Sequence, residues 1–242
     1  LKTGGCLALL PYRMKEDIAD KLMELRGRIA EACEKYDRDI HDITIVAVSK
    51  KHPVRHIRMA IAQGLLDIGE SRVQEAEPKI LELGPIARWH MVGHLQTNKV
   101  RKAVELFDVI QSVDSLKLAQ EISRRAEEIG RTIDCYIEVN CSGEASKSGA
   151  PPDQAPDLIR RVNQMPGIHL TGLMTIGPLS DDEEHVREAF RAARELFRQG
   201  RDMVGGDFEN LSMGMSDDFP LAIAEGATMI RVGTLIFGSR PD

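Results

Sequence analysis

Cysteine is scarce in this chain: four residues of 242, Cys6, Cys33, Cys135 and Cys141. None forms a CxxC pair, and no Cys/His cluster has zinc spacing. A disulfide framework and a metal site are disfavoured, and the reduced thiols of a cytoplasmic protein are expected. Long apolar runs are lacking as well. The longest are strand-sized, so no transmembrane helix and no membrane association is expected. Nor is there a basic excess: 32 Lys and Arg stand against 38 Asp and Glu, a formal charge of −6. That argues against nucleic-acid binding, which leaves a net basic footprint. Residues 1–13 lack the full apolar core and cleavage site of a signal peptide, and are expected to form an extension that packs little. No stretch reads as a linker or as low complexity. With 42% hydrophobic and 29% charged residues, the composition is that of an ordinary globular chain, long enough to bury a core without staples.

What is present is an alternation. Residues 15–36 read as an amphipathic helix: Ile18, Leu22, Leu25, Ile29, Cys33 and Tyr36 recur at spacings of 4, 3, 4, 4 and 3, one helical face. The run Ile43-Thr44-Ile45-Val46-Ala47-Val48 has the β-branched content of a strand buried on both sides. Further strands are predicted at 66–69, 89–92, 109–113, 133–139, 168–176, 209–213 and 229–232, with helices between them. Ser115 is placed to cap one helix. Ser180-Asp181-Asp182-Glu183 reads as a capping box opening another, with Val186, Ala189, Phe190, Ala193 and Leu196 inward. Strand–helix alternation implies a parallel sheet. Eight units in about 200 residues fit a closed (β/α)8 barrel, here a single domain over 14–242 with an extra N-terminal helix. A doubly wound sheet would want a glycine-rich turn after its first strand. This chain has Ser49-Lys50-Lys51-His52-Pro53 there.

Functional residues of such a barrel lie at the C-terminal strand ends. Lys50 follows the most hydrophobic strand. Desolvation at a barrel mouth can free its amine for Schiff-base chemistry, although a solvated strand-end lysine is the commoner case. Leu211-Ser212-Met213-Gly214-Met215-Ser216 and Arg231-Val232-Gly233-Thr234 follow strands seven and eight. Their small residues and hydroxyls suit an anion cradle, or their glycines serve as ordinary turns. Arg231 sits inside a strand and needs an acceptor. A ligand atom or a buried carboxylate such as Glu138 would do, the carboxylate being the commoner. His90 and His94 lack a third metal ligand. The loop over 140–149 reads as a flap across the mouth or as a solvated loop. Cys141 has no His/Asn arrangement behind it.

Seven segments occur in an order that resembles one family: Val46-Ala47-Val48-Ser49-Lys50, Gly69-Glu70-Ser71-Arg72-Val73-Gln74-Glu75, Trp89-His90-Met91-Val92-Gly93-His94-Leu95-Gln96-Thr97-Asn98-Lys99, Ser146-Lys147-Ser148-Gly149, Gly172-Leu173-Met174, Leu211-Ser212-Met213-Gly214-Met215-Ser216-Asp217-Asp218 and Arg231-Val232-Gly233-Thr234-Leu235-Ile236-Phe237-Gly238. From about Met14 onward the chain resembles the pyridoxal phosphate homeostasis protein family, also called YggS-like or proline synthase co-transcribed. The resemblance implies a barrel of the alanine-racemase N-terminal type, known as fold type III. It also implies pyridoxal 5′-phosphate held as an internal aldimine on Lys50. The phosphate would sit against Ser212, Met213, Gly233 and Thr234, and Arg231 would face the pyridine nitrogen and disfavour its protonation. Ser71 departs from the asparagine usual in the family.

That family implies a carrier in pyridoxal phosphate homeostasis and delivery rather than an enzyme, with apo forms of pyridoxal phosphate enzymes as candidate recipients. The alternative is a fold type III enzyme such as an amino-acid racemase. Those carry a second, β-rich domain with a tyrosine base, for which the chain to Asp242 leaves no room. Tyr12, Tyr36 and Tyr136 are not placed to replace that base, so no catalytic residue is assigned. A third reading makes Lys50 the Schiff-base lysine of a sugar-phosphate aldolase.

Overall fold

The structure, a computed structural model, describes residues 9–239, with side chains from residue 18 onward. Eight parallel strands follow one another around a closed barrel: β1 (Thr44–Val48), β2 (Asp67–Glu70), β3 (Arg88–Met91), β4 (Val109–Val113), β5 (Ile133–Glu138), β6 (Ile168–Met174), β7 (Asn210–Ser212) and β8 (Met229–Val232). β8 returns to β1, with Thr44 opposite Met229 and Ala47 opposite Val232, so no sheet edge is left open. This is the (β/α)8 barrel the sequence leads one to expect.

The helices are α1 (Leu9–Lys35), α2 (Val54–Ala62), α3 (Val73–Leu83), α4 (Val100–Leu106), α5 (Leu116–Glu128), α6 (Ala155–Val162), α7 (Glu183–Val204), α8 (Phe219–Ala224) and α9 (Thr234–Phe237). α1 buries Ile18, Leu22, Leu25, Ile29 and Cys33, the stripe read from their spacing. It packs on α2, α8 and α9. It starts six residues earlier than the pattern suggests. Pro11 falls in its first turn, where a missing N–H interrupts no helical bond. The side-chain packing expected to be poor over 1–13 lies outside the described residues.

Two further expectations need correction. α7 is capped by Asp182, whose carboxylate accepts from Glu184 N at 3.0 Å, and not by Ser180. The Ser180 hydroxyl accepts from Asp182 N at 3.1 Å instead, closing a local turn that delays the helix by two residues. Helices are expected only between the strands, whereas the eighth strand too is followed by one, the single turn α9. Ser115 caps α5 as expected, accepting from Leu118 N at 3.4 Å.

Strand parity distributes the side chains. Ala47, Ile68, Ile110, Ile137, Leu173, Leu211, Ile230 and Val232 point outward into the layer shared with the helices. Val46, Val109, Tyr136, Met174 and Met229 point into the barrel. Continuing the β1 alternation, Val46 and Val48 aim inward and Lys50 follows them at the mouth.

Candidate functional site

A cavity of about 350 Å³ opens at the C-terminal ends of the strands, lined by Lys50, Arg231, Gly233 and Thr234 together with Val48, His52, Ser71, Val92, Gly93, Ile176, Met215, Ser216 and Asp217. Four of the six residues singled out from the sequence therefore meet in one place. The other two do not reach it. Ser212 and Met213 are fully buried, Ser212 inside the barrel and Met213 in the outer layer. Ser216, from the same segment, lines the cavity in their stead.

The footing of Lys50 is a buried ionic cluster between the barrel and α3. The Ser49 hydroxyl donates to Glu70 Oε1 at 2.6 Å. Lys79 Nζ donates to Glu70 Oε1 at 2.7 Å, to Glu75 Oε1 at 2.9 Å and to the Ser49 carbonyl at 2.9 Å. Glu75 also accepts from the backbone N–H of Lys51. The residues on both sides of Lys50 are thus held, and Lys51 adopts a left-handed φ of 65°, uncommon for a side chain other than glycine. Burial holds the Glu70 carboxyl above its ordinary range despite Lys79. Burial also pushes Glu75 upward, but its bonds to Lys79 and Lys51 N–H prevail and leave it below that range. Sequence reasoning missed Lys79. The available signal was its i,i+4 spacing from Glu75 on one helix.

Arg231 is 5% exposed. Its Nη1 donates to Ser212 Oγ at 2.7 Å and its Nη2 to the Thr175 carbonyl at 2.8 Å. The expected carboxylate partner is not the acceptor. Glu138 acts on Arg231 only through space, because neutral oxygens from the ends of β6 and β7 stand closer. Two of five N–H donors are used, and the residue still borders the cavity. Burial brings the guanidinium down to about 10, against the attraction of Asp218 and Glu138. Glu138, with one carboxyl oxygen buried and without a partner, is pushed up to about 7 by burial and by Asp114, against Arg231.

Gly233 brings backbone to the cavity wall. A Cβ there would lie 2.9 Å from the Val48 carbonyl oxygen, too close for any side chain without a backbone shift. The 140–149 loop is fastened beside the mouth. Lys147 Nζ donates to the Gly177 carbonyl at 2.5 Å and to Glu144 at 2.8 Å, and Glu144 accepts from Leu179 N at 3.1 Å. Cys141 keeps a thiol raised to about 11 by burial, no nucleophile at neutral pH. Among the described residues no group of three or more His, Cys, Asp or Glu stands together to hold a metal, and no helix is long and apolar enough to cross a membrane.

An amine, a guanidinium with spare donors, hydroxyls and a closely approached backbone around one cavity can hold an anionic ligand carrying a carbonyl group. Residues 26–241 match the family described as alanine racemase, N-terminal domain. The pyridoxal phosphate homeostasis protein of Pseudomonas aeruginosa is 41% identical over 92% of this chain and 96% of its own length. Its namesake in Escherichia coli is 37% identical over 93% and 97%. PipY of Synechococcus elongatus, solved with PLP bound, is 40% identical, covers 91% of this chain with all of its own and superposes with a TM-score of 0.77. An alanine racemase of Clostridium difficile, 17% identical with a TM-score of 0.73 over 58% of its length, shares the fold. The chain belongs to the alanine racemase N-terminal domain family and, within it, to the pyridoxal phosphate homeostasis proteins.

Proposed function

We propose that this chain binds pyridoxal 5′-phosphate at the barrel mouth and serves in the homeostasis and delivery of that cofactor in the cytoplasm, with apo forms of pyridoxal phosphate enzymes as recipients. The convergence of Lys50 and Arg231 on one cavity carries the reading. PipY, whose structure holds PLP, and relatives named for homeostasis rather than for a reaction support it.

When bound, the cofactor supplies an aldehyde that condenses reversibly with a primary amine. Lys50 offers that amine, and the Lys79 cluster fixes the backbone on either side of it. Gly233 and Thr234 offer backbone and hydroxyl donors to a phosphate, with Ser212 and Met213 behind the wall. Arg231 presents a permanent donor, which suits an acceptor that stays unprotonated, as a pyridine nitrogen does beside a cation. Turnover of an amino acid would further need a base over the cavity. Tyr136, the inward tyrosine, is fully buried, and burial drives its phenol far above the ordinary range, so it holds its proton.

The test is a visible spectrum of the purified protein titrated with pyridoxal phosphate, followed by borohydride reduction and peptide mapping. The expected result is an absorbance band that reduction converts into an adduct on the peptide carrying Lys50, absent in Lys50→Ala. No band, or an adduct on another lysine, refutes the assignment. An amino-acid turnover assay on the loaded protein separates carrier from racemase.

A further inference from the structure

The interior of a (β/α)8 barrel is ordinarily filled by branched apolar side chains. Here a line of polar side chains crosses it. His90, Gln111 and Ser212 are fully buried. From Arg231 at the mouth, Nη1 reaches Ser212 Oγ at 2.7 Å. Ser212 Oγ reaches Gln111 Oε1 at 2.7 Å. Gln111 Nε2 lies 2.8 Å from His90 Nδ1, and His90 Nε2 lies 2.9 Å from Asp67 Oδ1. Asp67 opens β2 at the opposite end of the barrel. Each of these five residues comes from a different strand.

Elimination fixes the direction of every bond. Arg231 can only donate, so Ser212 Oγ accepts from it and sends its own proton to Gln111. The Gln111 atom facing Ser212 is then the amide oxygen. The amide nitrogen directs one N–H to Met229 Sδ at 3.2 Å and the other to His90 Nδ1. The imidazole proton therefore sits on Nε2 and is donated to Asp67. Turning the amide over would place two donors on Ser212 Oγ and strand its hydroxyl proton. It would also force a proton onto Nδ1, so that a neutral ring aimed a lone pair at the Asp67 carboxylate. A charged ring is opposed by burial, which holds His90 below its ordinary range despite Asp67.

We propose that Gln111 and His90 are positioning residues for Arg231, forming a one-way donor relay that links the guanidinium at the cavity to the Asp67 carboxylate across the barrel. This rests on the pyridoxal phosphate reading of the cavity. Arg231 has no ion-pair partner within 4 Å among the described residues, and its direct acceptors are uncharged. A chain of aligned hydrogen bonds is mutually polarised, so the Asp67 charge is felt at Ser212 Oγ. The relay fixes the plane of the guanidinium and leaves its remaining donors to the ligand.

The experiment is ¹⁵N–¹H correlation spectroscopy of the histidine rings in the full chain, with and without pyridoxal phosphate, His90 being assigned from a His90→Gln variant. The expected result is His90 as the neutral Nε2–H tautomer, with an Nδ1 resonance that moves on loading although the ring does not line the cavity. Gln111→Met abolishes that response, shifts the absorbance maximum of the bound cofactor and weakens binding about fivefold, the value of roughly one hydrogen bond. A proton on Nδ1 in the unloaded protein overturns the relay. So does a normal cofactor band with a silent His90, or a Gln111→Met protein that melts lower but keeps its affinity and spectrum. If the unaltered protein forms no band, the cofactor reading itself fails. The tautomer and the loading response are read on the unaltered protein, so a variant that fails to fold does not suspend the test.

Discussion

Replacing Lys79 with methionine removes the cation that three oxygens share behind Lys50. Glu70 is then left with no exposed surface and no counter-ion, 2.6 Å from the Ser49 hydroxyl, while Glu75 keeps only the Lys51 N–H. Breaking a buried pair by removing one partner costs about 3–5 kcal/mol. The lower end applies here, because Glu70 can escape by taking up a proton. In a domain of this size ~3 kcal/mol lowers the melting temperature by about 6–12 °C. Glu70 already lies above its ordinary range through burial, and without Lys79 it rises further. A carboxyl raised in the folded state contributes fully below its unfolded pKa of about 4.3 and loses that contribution as pH rises through the folded value. The deficit of the variant therefore grows from pH 5 to pH 8. Adding Glu70→Gln recovers most of it, because the amide needs no counter-ion. Urea unfolding of the three proteins at both pH values measures this. A deficit under 1 kcal/mol that does not change with pH would show that the cluster carries no such strain and that the Lys50 footing is held by other contacts.

Two further outcomes follow from groups at the mouth. Glu138 is raised to about 7, so the protein loses stability as pH climbs from the unfolded pKa to that value. Glu138→Gln should flatten this slope and gain up to about 3 kcal/mol at pH 8, and denaturation against pH that keeps the slope would clear Glu138 as its source. Gly233→Ala should weaken pyridoxal phosphate binding at least ~10-fold, because its Cβ would press the Val48 carbonyl from 2.9 Å and displace the wall. Titration by absorbance reads this, and unchanged affinity would place the ligand away from Gly233.

The barrel was legible because each strand carries its own signal. Val46 and Ile45 sit in a β-branched run, and Ile18 to Cys33 keep helical spacing, information local to a few residues. Lys50 was legible through position, as the first charged side chain beyond a buried strand. Arg231 was legible as a charge in need of an acceptor, but its acceptors were not. Ser212 and the Thr175 carbonyl reach it through barrel register, which no local pattern encodes. His90 drew notice as one of a histidine pair, whereas its role is set by Gln111, 21 residues away. Ser212 reads as a cradle residue from its glycine neighbourhood, and the register instead gives its fully buried hydroxyl to Arg231 and Gln111. Lys79 reads as a surface lysine until α3 is folded against β2. The capping box failed because Asp182, two residues nearer the helix than Ser180, supplies the cap.

The polar line through the barrel also bears on how the eight strands find their pairing. Sliding any one strand by a single residue reverses which of its side chains face the interior. For β3, β4 or β7 that slip would carry His90, Gln111 or Ser212 into the apolar layer beneath the helices. It would also leave neighbouring donors and acceptors unmatched inside, each at a cost of about 1–3 kcal/mol. An all-aliphatic interior tolerates mispairing far more readily, since one branched side chain can stand in for another. The five linked side chains therefore act as a combination that only one shear of the barrel satisfies, so the residues that aim Arg231 also select the topology in which it can be aimed.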